Sequence, residues 1–478
     1  MGEEILSSQF SREDHVRFRA RLEEETRLLR QYFDEQQFSV AEPVAGFELE
    51  AWLLDQDQLQ PLAINERFLR QLDSPLASPE LASFNFELNN TPRSLSGHVF
   101  SGMHNELRQQ WRQCREAAKQ LEAELLIIGI LPTLDNDDLS LGNMSNMARY
   151  RALNREALRR RRGKPLVFDI NGREHLRIAH RDVMLESATT SFQIHMQMNQ
   201  ALSVRLFNAS LILSAPMVAL TANSPFLFGK DLWDETRIPL FEQAVAVGGF
   251  EDAAFGPIHR VSFADAYVRQ SLMECFSANL EHYPVLLPVE FDESPSHLHH
   301  LRFHNGTIWR WNRPLIGFDS EGNIHLRLEQ RVVPAGPTII DSIANAAFFY
   351  GAVYALAKAA AVPEQRLLFN HVRDNFYRAA RLGLGASFNW FDDRQVNARE
   401  LLLESLLPLA RSGLQQLGVA LADSQEYLQI IEQRLRNNIN GACWQRAWVA
   451  KHGRDMQALT QAYLQRQESG VPLHGWTI

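Results

Sequence analysis

The chain has 478 residues, of which 45% are hydrophobic and 22% are charged, and its formal net charge is −9. These fractions are ordinary for a globular protein and exclude a collagen-like, mucin-like or largely disordered chain. The mild acidity argues against nucleic-acid binding through a basic surface, so we expect no nucleic-acid partner.

Hydrophobic periodicity predicts an α+β protein. In chain order the predicted elements are a helix over 13–33, a strand over 43–54, a helix over 108–125, a buried strand over 125–131, a helix over 147–162, a strand over 187–198, a helix over 201–218 and a strand over 324–332. From 339 to about 464 the pattern is almost entirely helical. Because no repeat or linker interrupts the chain, we predict one catalytic unit. Residues 1–338 would form its sheet with flanking helices, and residues 339–478 a helical portion packed on it.

Four predicted strands have one apolar face and one polar face, because alternate residues of a strand point the same way. The polar faces carry Glu48 and Glu50 in 45–53; Asn85, Glu87 and Asn89 in 83–89; Gln193, His195, Gln197 and Asn199 in 192–199; and His325, Arg327, Glu329 and Arg331 in 324–331. A solvated outer face would explain any one of these strands. Solvated strand faces usually carry Thr, Lys and Ser, however, so the four together favour a functional sheet face.

The residue types on these faces indicate a cation and a phosphate as ligands. Carboxylates two residues apart on one strand, joined by a third from another strand, suit Mg²⁺, which proteins hold through a few carboxylates and substrate phosphates. Arginines on a neighbouring strand would neutralise a phosphate or orient a carboxylate. The sequence has neither a GxxxxGK[ST] loop nor a GxGxxG turn after a strand, so we expect neither a P-loop nor a Rossmann site.

Six short motifs on these segments occur in the order and approximate spacing of a known family. They are G-F-E-L-E at 46–50, E-L-N-N-T-P at 87–92, M-A-R-Y at 147–150, the segment 180–196 that ends in Q-I-H-M, T-A-N-S-P-F at 221–226 and L-E-Q-R at 328–331. Over about 44–345 the chain resembles the glutamate–cysteine ligases of the plant and proteobacterial, carboxylate–amine ligase type. His195 and Gln197 depart from the family pattern, and Asp341 stands in for an acidic residue that usually follows the arginine more closely.

The resemblance implies a glutamine synthetase-type fold, which is a curved, mostly antiparallel sheet with the active site on its concave face. It implies ATP and Mg²⁺ as cofactors, with two or three ions, and amide formation through an acyl phosphate. The acid would be glutamate or a similar amino acid, and the amine cysteine or another amino acid. The implied metal ligands are Glu48, Glu50, Glu87 and Glu329; His195 would contact either a metal ion or an ATP phosphate, and Gln193 would contact ATP. The implied catalytic residue is Arg331, and the implied substrate contacts are Arg149, Tyr150 and Asn223.

Two further clusters of side chains have both a functional and an ordinary interpretation. Arg310 and Arg313, beside Trp309 and Trp311, are candidates for a catalytic and an ATP-phosphate contact respectively, or are surface arginines packed on tryptophan. The histidines between His297 and His304 indicate either a transition-metal site or, as we favour, a polar loop.

Alternatives to the ligase are a catalytically reduced relative that binds a ligand or protein, and a metal-dependent hydrolase that needs no ATP.

The three cysteines are isolated and fit a reducing compartment. No secretory signal and no apolar run near 20 residues is evident, so we expect a cytoplasmic protein without a membrane partner. Its partners would be small molecules, namely amino acids and ATP; a homo-oligomer is compatible with the sequence.

Overall fold

The architecture is taken from a computed structural model that describes residues 4–5, 7–40, 42–162, 164–245, 247 and 259–478. The strands are β1 (Val44–Asp55), β2 (Ala77–Pro79), β3 (Asn85–Asn89), β4 (Arg93–Ser94), β5 (Ala123–Leu126), β6 (Leu166–Asn171), β7 (His175–His180), β8 (Phe192–Met198), β9 (Phe226–Leu227), β10 (Lys230–Asp231), β11 (Val261–Ser262), β12 (Trp309–Arg310), β13 (Asn312–Phe318), β14 (Ile324–Gln330), β15 (Ser387–Trp390) and β16 (Arg394–Asn397).

The helices flank the sheet and fill most of the C-terminal third. They are α1 (Arg12–Asp34), α2 (Asn65–Leu72), α3 (Val99–Gln120), α4 (Ala148–Arg160), α5 (Gln200–Thr221), α6 (Arg237–Ala244), α7 (Met273–His282), α8 (His299–Gly306), α9 (Ile339–Lys358), α10 (Pro363–Arg366), α11 (Phe369–Leu382), α12 (Ala398–Leu401), α13 (Leu407–Gln416), α14 (Leu421–Arg436), α15 (Gly441–His452) and α16 (Met456–Glu468).

The central sheet is antiparallel and has the strand order β13-β14-β8-β1-β3-β2, with β4 and β5 also paired to β1. Its register places polar residues of adjacent strands opposite one another. Glu50 pairs with Glu87 across β1 and β3, and His195 pairs with Glu329 across β8 and β14. Because directly opposite residues share a face, the predicted polar faces form one continuous surface.

The other face of the sheet packs on two long apolar helices, α5 and α9, which also pack on each other. Both are long and apolar enough to cross a membrane, but 89% and 83% of their most apolar windows are buried inside the protein. Such burial is that of core helices, which are apolar all round.

Helix α9 is also attached directly to the strands that carry the polar face. The Tyr350 hydroxyl is 2.9 Å from the Gly46 carbonyl oxygen and 2.8 Å from that of His195, and it accepts from the Gly46 N–H at 3.2 Å. These bonds join the backbones of β1 and β8 beside Glu48 and His195, and so hold two candidate site residues from behind.

The predicted elements are largely confirmed, with four differences. Helix α3 begins at Val99 and not at 108, and the following strand is Ala123–Leu126 and not 125–131, because the chain leaves the sheet after pairing with β1. The predicted strand over 187–198 begins only at Phe192, after a 3₁₀ turn over Met184–Ala188. The helical tail contains one hairpin, β15–β16.

Candidate active site

A cavity of about 500 Å³ lies against the polar face of the sheet. Side chains of β1, β3, β8 and β14 form its floor, and α4, α6, α8 and the Met184–Ala188 turn contribute to its walls. The structure therefore brings together most of the residues predicted from the four strands, and the lining includes Glu48, Glu50, Glu87, Gln193, His195, Arg313, Glu329 and Arg331.

One group of carboxylates lies where β1, β2 and β3 meet. Ligand atoms of Glu50, Glu80 and Glu87 lie within 4.8 Å of one another. Burial, followed by the charges of Glu48 and Glu50, raises the pKa of Glu87 to about 8. Burial also raises the pKa of Glu80 well above its ordinary value, and neighbouring Glu87 adds to the effect. Carboxylates forced together in this way favour either protons or a cation.

Glu50 is held in position by the first residues of β8. Its carboxylate accepts from the Ser191 N–H at 2.6 Å, the Ser191 hydroxyl at 2.8 Å and the Gln193 amide at 2.8 Å. Burial nevertheless raises its pKa, and Arg331 opposes that rise. These bonds fix the direction in which the remaining oxygen lone pairs point.

A second group consists of Glu48, His195 and Glu329, whose ligand atoms also lie within 4.8 Å of one another. His195 Nε2 is 3.5 Å from Glu48 Oε1 and 3.8 Å from Glu329 Oε2, and it is buried without a hydrogen-bond partner among the described residues. Burial lowers the pKa of His195, so the imidazole is neutral at physiological pH. A neutral imidazole between two carboxylates is a set of donors that a divalent cation can use.

Two arginines face the same carboxylate. Arg313 donates to both oxygens of Glu329, at 3.0 and 2.9 Å, and Arg331 donates to Glu329 at 2.8 Å and to Gln193 at 2.5 Å. Burial opposes ionisation of Glu329, but Arg313 and Arg331 outweigh it and hold the pKa well below its ordinary value. Glu329 is therefore ionised and lies between two guanidinium groups at the cavity.

Arg149 and Tyr150, at the start of α4, line the cavity beside the first carboxylate group. Arg149 donates to the Tyr150 hydroxyl at 2.8 Å and to the Pro79 carbonyl at 3.2 Å. Burial raises the pKa of Tyr150, so its hydroxyl keeps its proton. The pair presents a cation and a neutral hydroxyl group at the end of the cavity where Glu80 lies.

Two predicted site residues lie elsewhere, which corrects their expected placement. Arg310 alternates with Trp309 and Trp311, which line the cavity, so its side chain points the other way. It donates to Asn279 at 2.5 Å and lies over the Tyr283 ring.

Asn223 is fully buried outside the cavity lining. Its amide donates to the Ala335 carbonyl and the Tyr463 hydroxyl, both at 2.8 Å, and so ties the loop after β14 to α16. Asp341 likewise serves a helix end, because it lies beside the Thr338 N-cap of α9 and is completely buried.

The histidines between His297 and His304 do not converge on one site. His297 and His299 both lie beside the Glu293 carboxylate, at 3.3 and 3.0 Å. His300 lies 2.7 Å from the Glu25 carboxylate, and His304 lies 3.2 Å from the Asn279 carbonyl oxygen. Within the described residues, they belong to no group of three metal-binding side chains. The prediction of a polar loop here is wrong, since most of the segment lies in helix α8.

Sequence reasoning missed Glu80 and Glu186 as cavity residues. Glu80 follows the three-residue strand β2, which is too short to show alternation, and Glu186 lies in the Met184–Ala188 turn. Arg327 also lines the cavity, and only its place on the polar face of β14 signalled this.

Comparisons with known proteins identify the family and the fold. Residues 44–466 match the model of glutamate-cysteine ligase family 2. No curated protein matches the chain.

Among solved structures, the chain is similar to the glutamate–cysteine ligase of Francisella tularensis in complex with AMP, with a TM-score of 0.55, 10% identity and coverage of 91% of this chain and 90% of that one. It is also similar to a bifunctional glutathione synthetase from Pasteurella multocida (TM-score 0.47, 12% identity, coverage 92% and 54%).

The first similarity confirms the predicted fold class, a mixed helix and sheet protein with a curled antiparallel half-barrel. The family match extends over most of the chain, including all four strands of the polar face and most of the helical tail. The chain belongs to glutamate–cysteine ligase family 2 and is an ATP-dependent carboxylate–amine ligase.

Proposed function

We propose that the enzyme uses Mg²⁺ and ATP to join the carboxylate of glutamate, or of a similar amino acid, to the amine of cysteine or another amino acid. The substrate carboxylate attacks the γ-phosphorus of ATP, ADP leaves, and the amine then displaces phosphate from the acyl phosphate. The observation that carries this proposal is the meeting of two carboxylate groups and two arginines in one cavity.

The donor chemistry of the cavity fits Mg²⁺. The candidate ligands are Glu50, Glu80 and Glu87 in one group and Glu48, Glu329 and His195 in the other. Hard cations prefer such carboxylate oxygens. Burial, followed by the charges of Glu48 and Glu50, raises the pKa of Glu87, and a bound cation would offset both effects. When bound, Mg²⁺ would neutralise phosphate oxygens of ATP.

Arg331 and Arg313 are proposed to stabilise the phosphoryl group during its transfer. Both side chains are held by Glu329, which fixes their direction before ATP binds. Preorganised cations of this kind stabilise transferring phosphoryl charge without further reorganisation. Gln193, which bridges Glu50 and Arg331, would keep the carboxylates and the cations in register.

Arg149 and Tyr150 are proposed to hold a carboxylate of the amino-acid substrate. They lie at the end of the cavity beside Glu80, away from the Arg313–Glu329 pair on the sheet. A guanidinium group and a neutral hydroxyl group are suitable donors for a carboxylate.

The three cysteines are free, which supports a reducing, cytoplasmic compartment.

The proposal is tested by measuring ADP release from the full chain with Mg²⁺, ATP and a panel of amino-acid pairs. The wild type should release ADP only with Mg²⁺ and a suitable acid. Glu50→Gln should abolish turnover with an unchanged melting curve, whereas Glu66→Gln, an exposed helix residue paired with Arg70, should leave it unchanged. Full activity of Glu50→Gln, or turnover that does not require ATP, would contradict the proposal.

A further inference from the structure

Glu186 is a cavity carboxylate that makes no hydrogen bond or ion pair with the side chains of the described residues. It lies in the Met184–Ala188 turn and lines the cavity. Glu50 accepts three hydrogen bonds and Glu329 is bound by two arginines. Within the part of the chain that the structure describes, neither a hydrogen bond nor an ion pair reaches the Glu186 carboxylate.

The groups that face Glu186 increase the need for an external cation. The ionised forms of Glu50 and Glu80 repel its charge, and Arg331, the described cation that lowers its pKa, is already bound to Glu329 and Gln193. A desolvated carboxylate without a partner is costly in free energy. Such a group at a cavity wall is therefore suited to a ligand that brings its own positive charge.

The position of Glu186 favours an ammonium group over a further metal ion. Glu186 belongs to neither group of three clustered metal-binding side chains, and hard cations need several oxygen ligands. It does act electrostatically on Tyr150, whose neighbour Arg149 is proposed above to hold a carboxylate of the substrate. One end of the cavity thus offers both an anion and a cation, which is the complement of a zwitterionic amino acid.

We propose that Glu186 binds the ammonium group of the acid substrate and makes the enzyme select amino acids over the same acids without the amine. This inference rests on the proposed function only in taking the acid substrate to be the ligand of this end of the cavity. A charge-assisted hydrogen bond contributes about 1.5–3 kcal/mol, which corresponds to roughly 10–150-fold in affinity.

The test is calorimetric titration of the full chain, with Mg²⁺ and a non-hydrolysable ATP analogue present. The probes are L-glutamate against glutarate and L-aspartate against succinate. The wild type should bind one of the amino acids at least about 10-fold more tightly than its partner acid. Glu186→Gln should lose most of that preference and keep the affinity for the partner acid and the Mg²⁺ requirement. Glu186→Asp should recover part of it, and Glu66→Gln should behave as the wild type.

A wild type that prefers neither amino acid would overturn the inference. So would a Glu186→Gln variant, or an equally folded Glu186→Asp variant, that weakens both members of a pair equally or raises the Mg²⁺ requirement. The ligase reaction is judged separately, by ADP release. Selectivity for the amino acid without ADP release would remove the proposed function and leave the inference. ADP release without that selectivity would remove the inference and leave the proposed function.

Discussion

Glu87 gives the sharpest prediction about the carboxylate groups, because its charge should destabilise the metal-free fold. Its pKa is raised from an ordinary 4.5 to about 8, mainly by burial and then by Glu48 and Glu50. At ~1.4 kcal/mol per pH unit, the ionised form would be disfavoured by about 5 kcal/mol. The Glu87 side chain is only half-buried and lines the cavity, so screening reduces this free energy to about 2 kcal/mol.

The sign follows from the direction of the shift. A carboxyl whose folded pKa is raised contributes its stability below the unfolded pKa, and this contribution is lost as pH rises from 4.5 through about 8. Metal-free Glu87→Gln should therefore melt at about the same temperature as the wild type near pH 4.5, and about 2 °C higher than the wild type above pH ~8.

The assay is thermal unfolding across that pH range, with a chelator and then with excess Mg²⁺. Mg²⁺ should raise the melting temperature of the wild type more than that of Glu87→Gln, because a bound cation stabilises only the form that holds it. Glu66→Gln serves as the exposed control. A metal-free Glu87→Gln variant that melts below the wild type above pH ~8, or that gains as much from Mg²⁺, would refute the reasoning.

Three other substitutions separate the roles of neighbouring residues. Arg331→Gln should reduce kcat by roughly 10²–10³-fold, the usual effect of removing one charge-stabilising donor. Arg310→Gln, whose side chain points away from the cavity, should reduce kcat less than ~3-fold. Steady-state kinetics compares the two variants, and equal losses would place Arg310 in the reaction. Burial raises the pKa of Glu242 to about 7, so its contribution to stability is lost as pH rises from 4.5 to about 7. Glu242→Gln should reduce this loss in melting curves recorded across that pH range. A variant that melts below the wild type at every pH would contradict this and show that the bonds from Trp311 and Tyr377 dominate. Tyr350→Phe should raise the Mg²⁺ concentration for half-maximal activity more than the KM for ATP, since it supports the backbone of β1 and β8; an unchanged Mg²⁺ dependence would limit Tyr350 to packing.

The floor of the cavity could be predicted from the sequence because strand periodicity determines which side chains share a face. Glu48 and Glu50 on β1, and Glu329 on β14, meet because antiparallel pairing places polar faces side by side. The same rule could have excluded Arg310, since Trp309 and Trp311 flank it on the cavity side.

The walls of the cavity could not be predicted in this way. Glu80 and Glu186 lie in a short edge strand and a turn, where no period relates one residue to the next. Asn223 lies in one of the motifs that resemble the family, yet its side chain joins the loop after β14 to helix α16. This is a long-range contact that no local pattern encodes. The hairpin β15–β16 is similarly short and was hidden among helical segments.

The central claim is that the substrate carboxylate is activated by phosphorylation on this sheet face. It is tested most directly by supplying the acid substrate with ¹⁸O in its carboxylate, together with Mg²⁺, ATP and the amine, and analysing the released phosphate by mass spectrometry. Transfer through an acyl phosphate predicts one ¹⁸O atom in each phosphate formed with product. Phosphate that carries no ¹⁸O while amide product accumulates would contradict the account.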